Sequence, residues 1–142
     1  MRAPHPSALG GVRIEVPSHF QRGRSLNDNS IVLRLVHGEV SVLLAGDVEA
    51  LAEADLAQGP APLQAEMMKA PHHGSRTSST DAFLRRVSPR FSVYCVGAGN
   101  HFGFPNPDVH ARTPGEHFST ADGAVIAESD GRSLRVRSFS GR

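Results

Sequence analysis

Two adjacent histidines, followed by a glycine and several hydroxyl residues, form the segment best suited to chemistry. Residues 70–79 read Ala-Pro-His-His-Gly-Ser-Arg-Thr-Ser-Ser, with His72 and His73 near the centre. Asp47 stands about 25 residues earlier, where an apolar run ends. Imidazole and carboxylate are ligands that hold Zn or Mn while leaving a position open for water. These residue types therefore indicate part of a hydrolytic metal site.

Each of these residues also has a structural interpretation. Asp47 could cap a helix that follows it, a role that Asp fills well. The two histidines could be ordinary surface residues, and the hydroxyls could cap a turn or a helix. Neighbouring side chains of an extended segment point to opposite sides. One histidine is therefore expected to bind metal, while the other faces the scissile group or a carboxylate.

Length and composition predict one soluble domain. The chain has 142 residues, 39% of them hydrophobic, and a formal net charge of +1. A stand-alone nucleic-acid-binding protein usually has a stronger basic excess. Cys95 is the only cysteine, which excludes an internal disulfide framework and a zinc site built from several thiolates. No apolar run approaches the roughly 18–20 residues that span a membrane, so we expect no transmembrane segment in this chain.

The order of the predicted elements is typical of a layered α/β fold whose site loops meet at one sheet edge. Residues 1–25 read as an irregular lead-in with one candidate strand, and residues 26–142 as the domain. Strands are predicted over 12–16, 30–35, 40–44, 66–70, 91–96, 124–127 and 134–136. Helices are predicted over 48–56, from 78–80 to 87, and from 107.

Several motifs occur together in one order along the chain. They are Asn-Asp-Asn-Ser-Ile-Val-Leu-Arg-Leu at 27–35, Leu-Leu-Ala-Gly-Asp-Val-Glu at 43–49, the histidine run, Gly-Ala-Gly-Asn at 97–100 and Phe-Gly-Phe-Pro at 102–105. In this combination the chain resembles the C-terminal metallo-β-lactamase-like domain of ComEC-type competence proteins, which import transforming DNA across the inner membrane. The resemblance covers roughly 100 of the 142 residues.

The resemblance implies the C-terminal part of an αββα sandwich with a binuclear Zn or Mn centre and a nuclease or phosphodiesterase activity. It implies Asp47 as a bridging metal ligand and favours His73 as the histidine ligand, with His72 and Ser75 as catalytic residues. Contacts to the substrate or to the metal ligands are implied for Asn27, Asp28, Thr77, Ser78 and Asn100.

The resemblance also implies partners and a location for a longer parent protein. The partners are single- or double-stranded DNA and the membrane channel portion of the parent. The parent would lie in the bacterial inner membrane, with this domain on the extracytoplasmic side.

Two departures from the family pattern affect the expected activity. The family's HxHxDH cluster is absent, and Phe104 stands where the family commonly carries histidine. His5 and His19 stand alone, and His110 and His117 lie outside any motif, so all four are predicted to be exposed. We therefore expect this chain alone to bind metal weakly and to catalyse poorly, with the missing ligands before Met1 in the parent.

Two alternatives remain open from the sequence. One is a non-catalytic, degenerate module of the same fold that serves packing or guides DNA, which the two departures favour. The other is a related soluble metallo-hydrolase that acts on a small phosphodiester or a lactam.

Overall fold

The computed structural model describes residues 7–18 and 20–140, which form a seven-stranded sheet, a separate two-stranded hairpin and three α-helices. His5 and His19 lie outside the described residues. The strands are β1 (Ser7–Leu9), β2 (Val12–Glu15), β3 (Leu33–His37), β4 (Val40–Leu44), β5 (Met67–Lys69), β6 (Phe91–Tyr94), β7 (Glu116–Ser119), β8 (Ala124–Ser129) and β9 (Leu134–Phe139). The helices are α1 (Ala50–Gln58), α2 (Asp81–Val87) and α3 (Pro107–Arg112).

The large sheet is half antiparallel and half parallel. Strands β1 to β4 pair antiparallel in sequence order, and β4 to β7 pair parallel in the same order. Because parallel strands end at the same edge of a sheet, the loops that follow β4, β5 and β6 meet there. These loops carry Asp47, the two histidines and Cys95, so the predicted α/β class is confirmed.

Two separate apolar clusters lie on the two faces of the sheet. Leu43 and Met68 pack with Phe83 and Val87 of α2 in a buried cluster that also includes Leu56 of α1. The opposite cluster joins Val40 and Phe91 to Leu134 of the β8–β9 hairpin. Successive strand residues point to opposite faces, which allows Met67 and Met68 to serve different clusters. The layers are thus helices, sheet and hairpin, an arrangement compatible with part of a sandwich.

A buried carboxylate joins α1 to the start of α2. Glu53 is 0% exposed, and its two oxygens accept the backbone N–H groups of Ser79 and Thr80 at 2.6 and 2.7 Å. Burial raises the pKa of Glu53, while the two N–H donors act in the opposite direction. Thr80 is the N-cap residue of α2, but its side chain makes no capping hydrogen bond. The contact with Glu53 therefore replaces the hydroxyl cap predicted from the sequence.

Several element boundaries differ from those predicted. The strand β4 has the predicted bounds, whereas β3 begins three residues later than predicted, at Leu33. The helix α1 begins at Ala50 with Glu49 as its N-cap, so Asp47 is not the cap of this helix. The strands β1 and β7 were not predicted. Because β1 pairs with β2, and β2 with β3, the lead-in contributes two strands to the large sheet.

Candidate functional site

The backbone of Gly46 ties the Asp47 loop to the histidine loop. The Gly46 carbonyl accepts the backbone N–H of His72 at 3.1 Å and the ammonium of Lys69 at 2.7 Å. On the other side, the backbone N–H of Asp47 donates to the Ser30 hydroxyl at 3.2 Å. Because these bonds join three separate loops, the positions of Asp47 and the histidines are fixed relative to each other.

The two histidines lie in a left-handed turn rather than in the extended segment predicted from the sequence. The φ angles of His72, His73 and Gly74 are +44°, +58° and +84°. Residues with a Cβ adopt such angles at an energetic cost, and such conformations concentrate at functional sites. Although the backbone is not extended, the two imidazoles still contact different groups.

His73 presents one ring nitrogen to Asp47. Its Nδ1 lies 2.6 Å from the carbonyl oxygen of Cys95, the residue that follows β6. A carbonyl can only accept, so Nδ1 carries the proton and the neutral ring has its lone pair on Nε2. This Nε2 lies 3.6 Å from Oδ1 of Asp47. A backbone carbonyl behind a metal-binding imidazole is a common arrangement in metal sites, because it fixes both the ring and its tautomer.

The separation of these two atoms fits a shared divalent ion. An oxygen and a nitrogen bound to one tetrahedral zinc at the usual distances lie about 3.4 Å apart. The observed 3.6 Å differs by a shift that a half-exposed side chain can make. In the described part of the chain, no group of three or more His, Cys, Asp and Glu residues is placed to hold an ion. The spacing of Asp47 and His73 is thus that of two ligands of one ion.

Lys69, which was not predicted as a site residue, places a cation beside Asp47. Its ammonium lies 3.3 Å from Oδ1 of Asp47, and its side chain is 18% exposed. Lys69 is the last residue of β5 and pairs with Leu44, the last residue of β4. This register places the ammonium next to the loop that carries the carboxylate.

Glu49 is a second residue of the site that was not predicted from the sequence. Its Oε1 lies 3.3 Å from Nδ1 of His72, and it accepts the Thr77 hydroxyl at 2.7 Å. The Thr77 hydroxyl in turn lies 3.0 Å from that of Ser75. The buried Nδ1 of His72 has no hydrogen-bond partner in the described structure, so its contact with Glu49 is one of proximity alone. Glu49 thus connects His72 to the predicted hydroxyl residues.

Two other predicted contact residues hold the scaffold of the site. Asp28 is 8% exposed, and its Oδ1 accepts the backbone N–H groups of Glu49 and Ala52 at 3.2 and 3.1 Å. The fully buried Ser78 donates its hydroxyl to the carbonyl of Val48 at 2.8 Å. Asn27 contributes a backbone carbonyl to a turn that ends at Ser30. Contacts of these residues with a substrate stay a prediction.

An open cavity of about 410 Å³ lies over the site. Its lining includes Asp47, His72, His73, Asn100, Phe102 and Phe104. The Asn100 side chain donates to the carbonyl of Phe104 at 2.8 Å and accepts its N–H at 2.9 Å. Asn100, predicted to contact the substrate or the metal ligands, therefore holds the loop that carries the two phenylalanines.

A second pair of histidines forms a distinct cluster. Nδ1 of His117 lies 2.9 Å from Nε2 of His110, and Nε2 of His117 lies 2.9 Å from the carbonyl of Thr113. Burial and the neighbouring His117 lower the pKa of His110. His110 is exposed as predicted, but His117 is half-buried.

Comparison with known proteins gives several relatives by sequence, although no protein-family model matches the chain. Competence protein ComA of Neisseria gonorrhoeae is 35% identical over 92 residues, which are 63% of this chain and 13% of ComA. ComE operon protein 3 of Bacillus subtilis is 29% identical over 85 residues, which are 60% of this chain and 11% of that relative. Recombination protein 2 of Haemophilus influenzae is 34% identical over 89 residues, with corresponding shares of 63% and 11%.

Over about 60% of the chain, these similarities are consistent with a competence protein family. The matched stretch spans only about a tenth of the length of these relatives. None of the helices among residues 7–18 and 20–140 has the length and apolar character that a membrane span requires.

Proposed function

We propose that this chain is the C-terminal part of a metal-dependent phosphodiesterase or nuclease-like domain in a competence protein that takes up transforming DNA. The observation that carries the proposal is the 3.6 Å approach of His73 Nε2 to Asp47 Oδ1, with the opposite ring nitrogen held by the Cys95 carbonyl. Two residues from separate loops thus converge in the way that a shared cation requires. The sequence similarity to ComA and ComE operon protein 3 supports the setting in DNA uptake.

Asp47 and His73 would hold a divalent ion, Zn or Mn, and further ligands would come from a preceding part of a longer protein. When bound, such an ion lowers the pKa of a water ligand and neutralises charge on phosphoryl oxygens. The chain's own contribution is to fix the His73 tautomer through Cys95 and to keep His72 beside Glu49. Lys69 adds a positive charge at the position where an anionic phosphodiester would approach.

Two observations favour a non-catalytic module as the second candidate. The Lys69 ammonium already neutralises Asp47 from 3.3 Å, as it would in a site that needs no metal. Phe104 places its ring parallel to that of His73, with centroids 6.4 Å apart, and adds no donor atom there.

Metal removal separates the two candidates. The full-length protein that contains this chain is assayed on an end-labelled single-stranded oligonucleotide, before and after treatment with a chelator. We expect chelation to reduce cleavage to the level without protein, and added Zn or Mn to restore it. Cleavage that is insensitive to the chelator would contradict the metal-dependent mechanism. Absence of cleavage with every metal would favour the non-catalytic module.

A further inference from the structure

A stack of three rings leads from the candidate site to the solvent. The ring of His73 lies parallel to that of Phe104, with centroids 6.4 Å apart and an interplanar angle of 11°. Phe104 in turn stacks on Phe102, with a centroid distance of 5.5 Å and an angle of 17°. Both distances lie in the range of favourable aromatic pairs. The stack begins beside Asp47 and ends at Phe102.

Phe102 is 80% exposed although it stacks on Phe104 and lines the cavity. Other large hydrophobic residues of the described structure are also exposed, but Phe102 is the one among them that lines the cavity over Asp47 and His73. A phenyl ring offers no hydrogen bond and no charge. It therefore favours a flat, apolar partner at this position.

The ring below Phe102 is held in place. Phe104 packs against the buried cluster of Ala70, Tyr94 and Val96, and the Asn100 side chain clamps both backbone polar groups of Phe104. Phe102 therefore stacks on a fixed surface, and less conformational freedom remains to be lost when a ligand binds.

We propose that Phe102 is a stacking platform for an unpaired nucleobase of a DNA strand whose backbone lies at the Asp47–His73 pair. This inference rests on the proposed function and specifies its substrate as single-stranded at the site. Exposed aromatic rings beside a backbone-binding region are the usual means of binding single strands, because every base has a flat face to stack. A paired base in a duplex has both faces covered by its neighbours and does not fit.

The chain contains no tryptophan, so Phe102→Trp introduces a single fluorescent reporter at the proposed platform. The probes are a short thymidine oligonucleotide and an abasic oligonucleotide of the same length and charge, both in chelating buffer. We expect the thymidine oligonucleotide to quench the reporter and the abasic one to leave it nearly unchanged. Phe20→Trp is the matched control, because Phe20 is 77% exposed and lies outside this cavity.

Affinity measurements on unlabelled variants complete the test. Stacking on one base contributes enough that Phe102→Ala is expected to weaken binding of a dye-labelled thymidine oligonucleotide by about five- to a hundredfold. Phe102→Leu should weaken binding nearly as much as Phe102→Ala, whereas Phe102→Tyr should bind the oligonucleotide as the wild type does. Equal quenching by both oligonucleotides, no quenching, or full affinity in the leucine variant would each overturn the proposal. A shift in the wavelength of the reporter's emission maximum with protein concentration alone would also overturn the proposal, since a second copy of the chain would then cover the ring.

The two proposals fail separately, because the fluorescence test contains no divalent metal and involves no cleavage. Metal-dependent cleavage without base-dependent quenching would remove only the stacking platform. Base-dependent quenching in a protein that shows no cleavage with any added metal would remove only the phosphodiesterase activity.

Discussion

Replacing Asp47 with alanine is expected to reduce metal-dependent cleavage of a single-stranded oligonucleotide by more than about a hundredfold in the full-length protein. Loss of a partner that only orients a metal ligand already costs about 10- to 100-fold in affinity or activity, so loss of a ligand should cost more. In Asp47→Ala the ammonium of Lys69 also loses its carboxylate partner and faces the site unopposed. The rate of product formation at saturating Zn or Mn is the measurement.

Asp122→Ala is the matched control for this experiment. Asp122 is an exposed carboxylate in the turn between β7 and β8, and it does not line the cavity over the site. Its removal should leave the cleavage rate unchanged, and both variants should show the thermal transition of the wild type. Wild-type cleavage by Asp47→Ala would remove the carboxylate from the mechanism.

Replacing Gly74 with alanine is expected to lower the free energy of unfolding by about 2–5 kcal/mol, from the left-handed backbone and from overpacking together. Gly74 has φ +84°, and an added Cβ would lie 2.7 Å from Cβ of Pro105 and 2.9 Å from the ring of Tyr94. Since Tyr94 is buried, the histidine turn itself has to move. Equilibrium denaturation of the purified chain measures the loss.

Gly99→Ala separates the two contributions. Gly99 has φ +62°, but an added Cβ would have no neighbour within 4 Å. Gly99→Ala should therefore lower the free energy of unfolding only by the conformational cost, about 1–2 kcal/mol. The gain from a stiffer unfolded chain is common to both substitutions and cancels in the comparison. Equal reductions in the free energy of unfolding at the two positions would mean that the packing of Gly74 against Tyr94 and Pro105 does not constrain the turn.

The convergence of Asp47 and the histidines at the sheet edge could be predicted because each follows a predicted strand. Asp47 follows β4 and the histidines follow β5, and strands that run parallel end together. The roles of Lys69 and the Cys95 carbonyl could not be predicted in this way. Lys69 has no motif of its own, and a backbone carbonyl carries no sequence signal. Their roles depend on the register of β4, β5 and β6.

The stretch before β3 shows why some boundaries could not be predicted. Ser30, Ile31 and Val32 have the composition of a strand, but the preceding residues form turns that the Asn29 side chain holds through three backbone carbonyls. The Ser30 hydroxyl is used by the Asp47 loop, and Ile31 is 69% exposed. The strand therefore starts only at Leu33.

The strand β7 was not predicted because its sequence lacks an apolar alternation. Glu116, His117, Phe118 and Ser119 form the edge of the sheet, and only Phe118 joins an apolar cluster. Pairing with β6 decides its conformation, and this is a tertiary effect. Asn27 and Asp28 are predicted to contact the substrate or the metal ligands, and the observed hydrogen bonds of the Asp28 carboxylate go to the backbone at the start of α1.

The most direct test of the account is to locate zinc in crystals of this chain by anomalous scattering after a soak in a zinc salt. The account predicts a peak bonded to an Asp47 carboxylate oxygen and to Nε2 of His73, each at about 2.0–2.2 Å. The Cys95 carbonyl should stay on Nδ1, and Lys69 should have moved away from Oδ1. Zinc bound at His110 and His117 alone, with the contact between Lys69 and Asp47 unchanged, would contradict the claim that Asp47 and His73 share a cation.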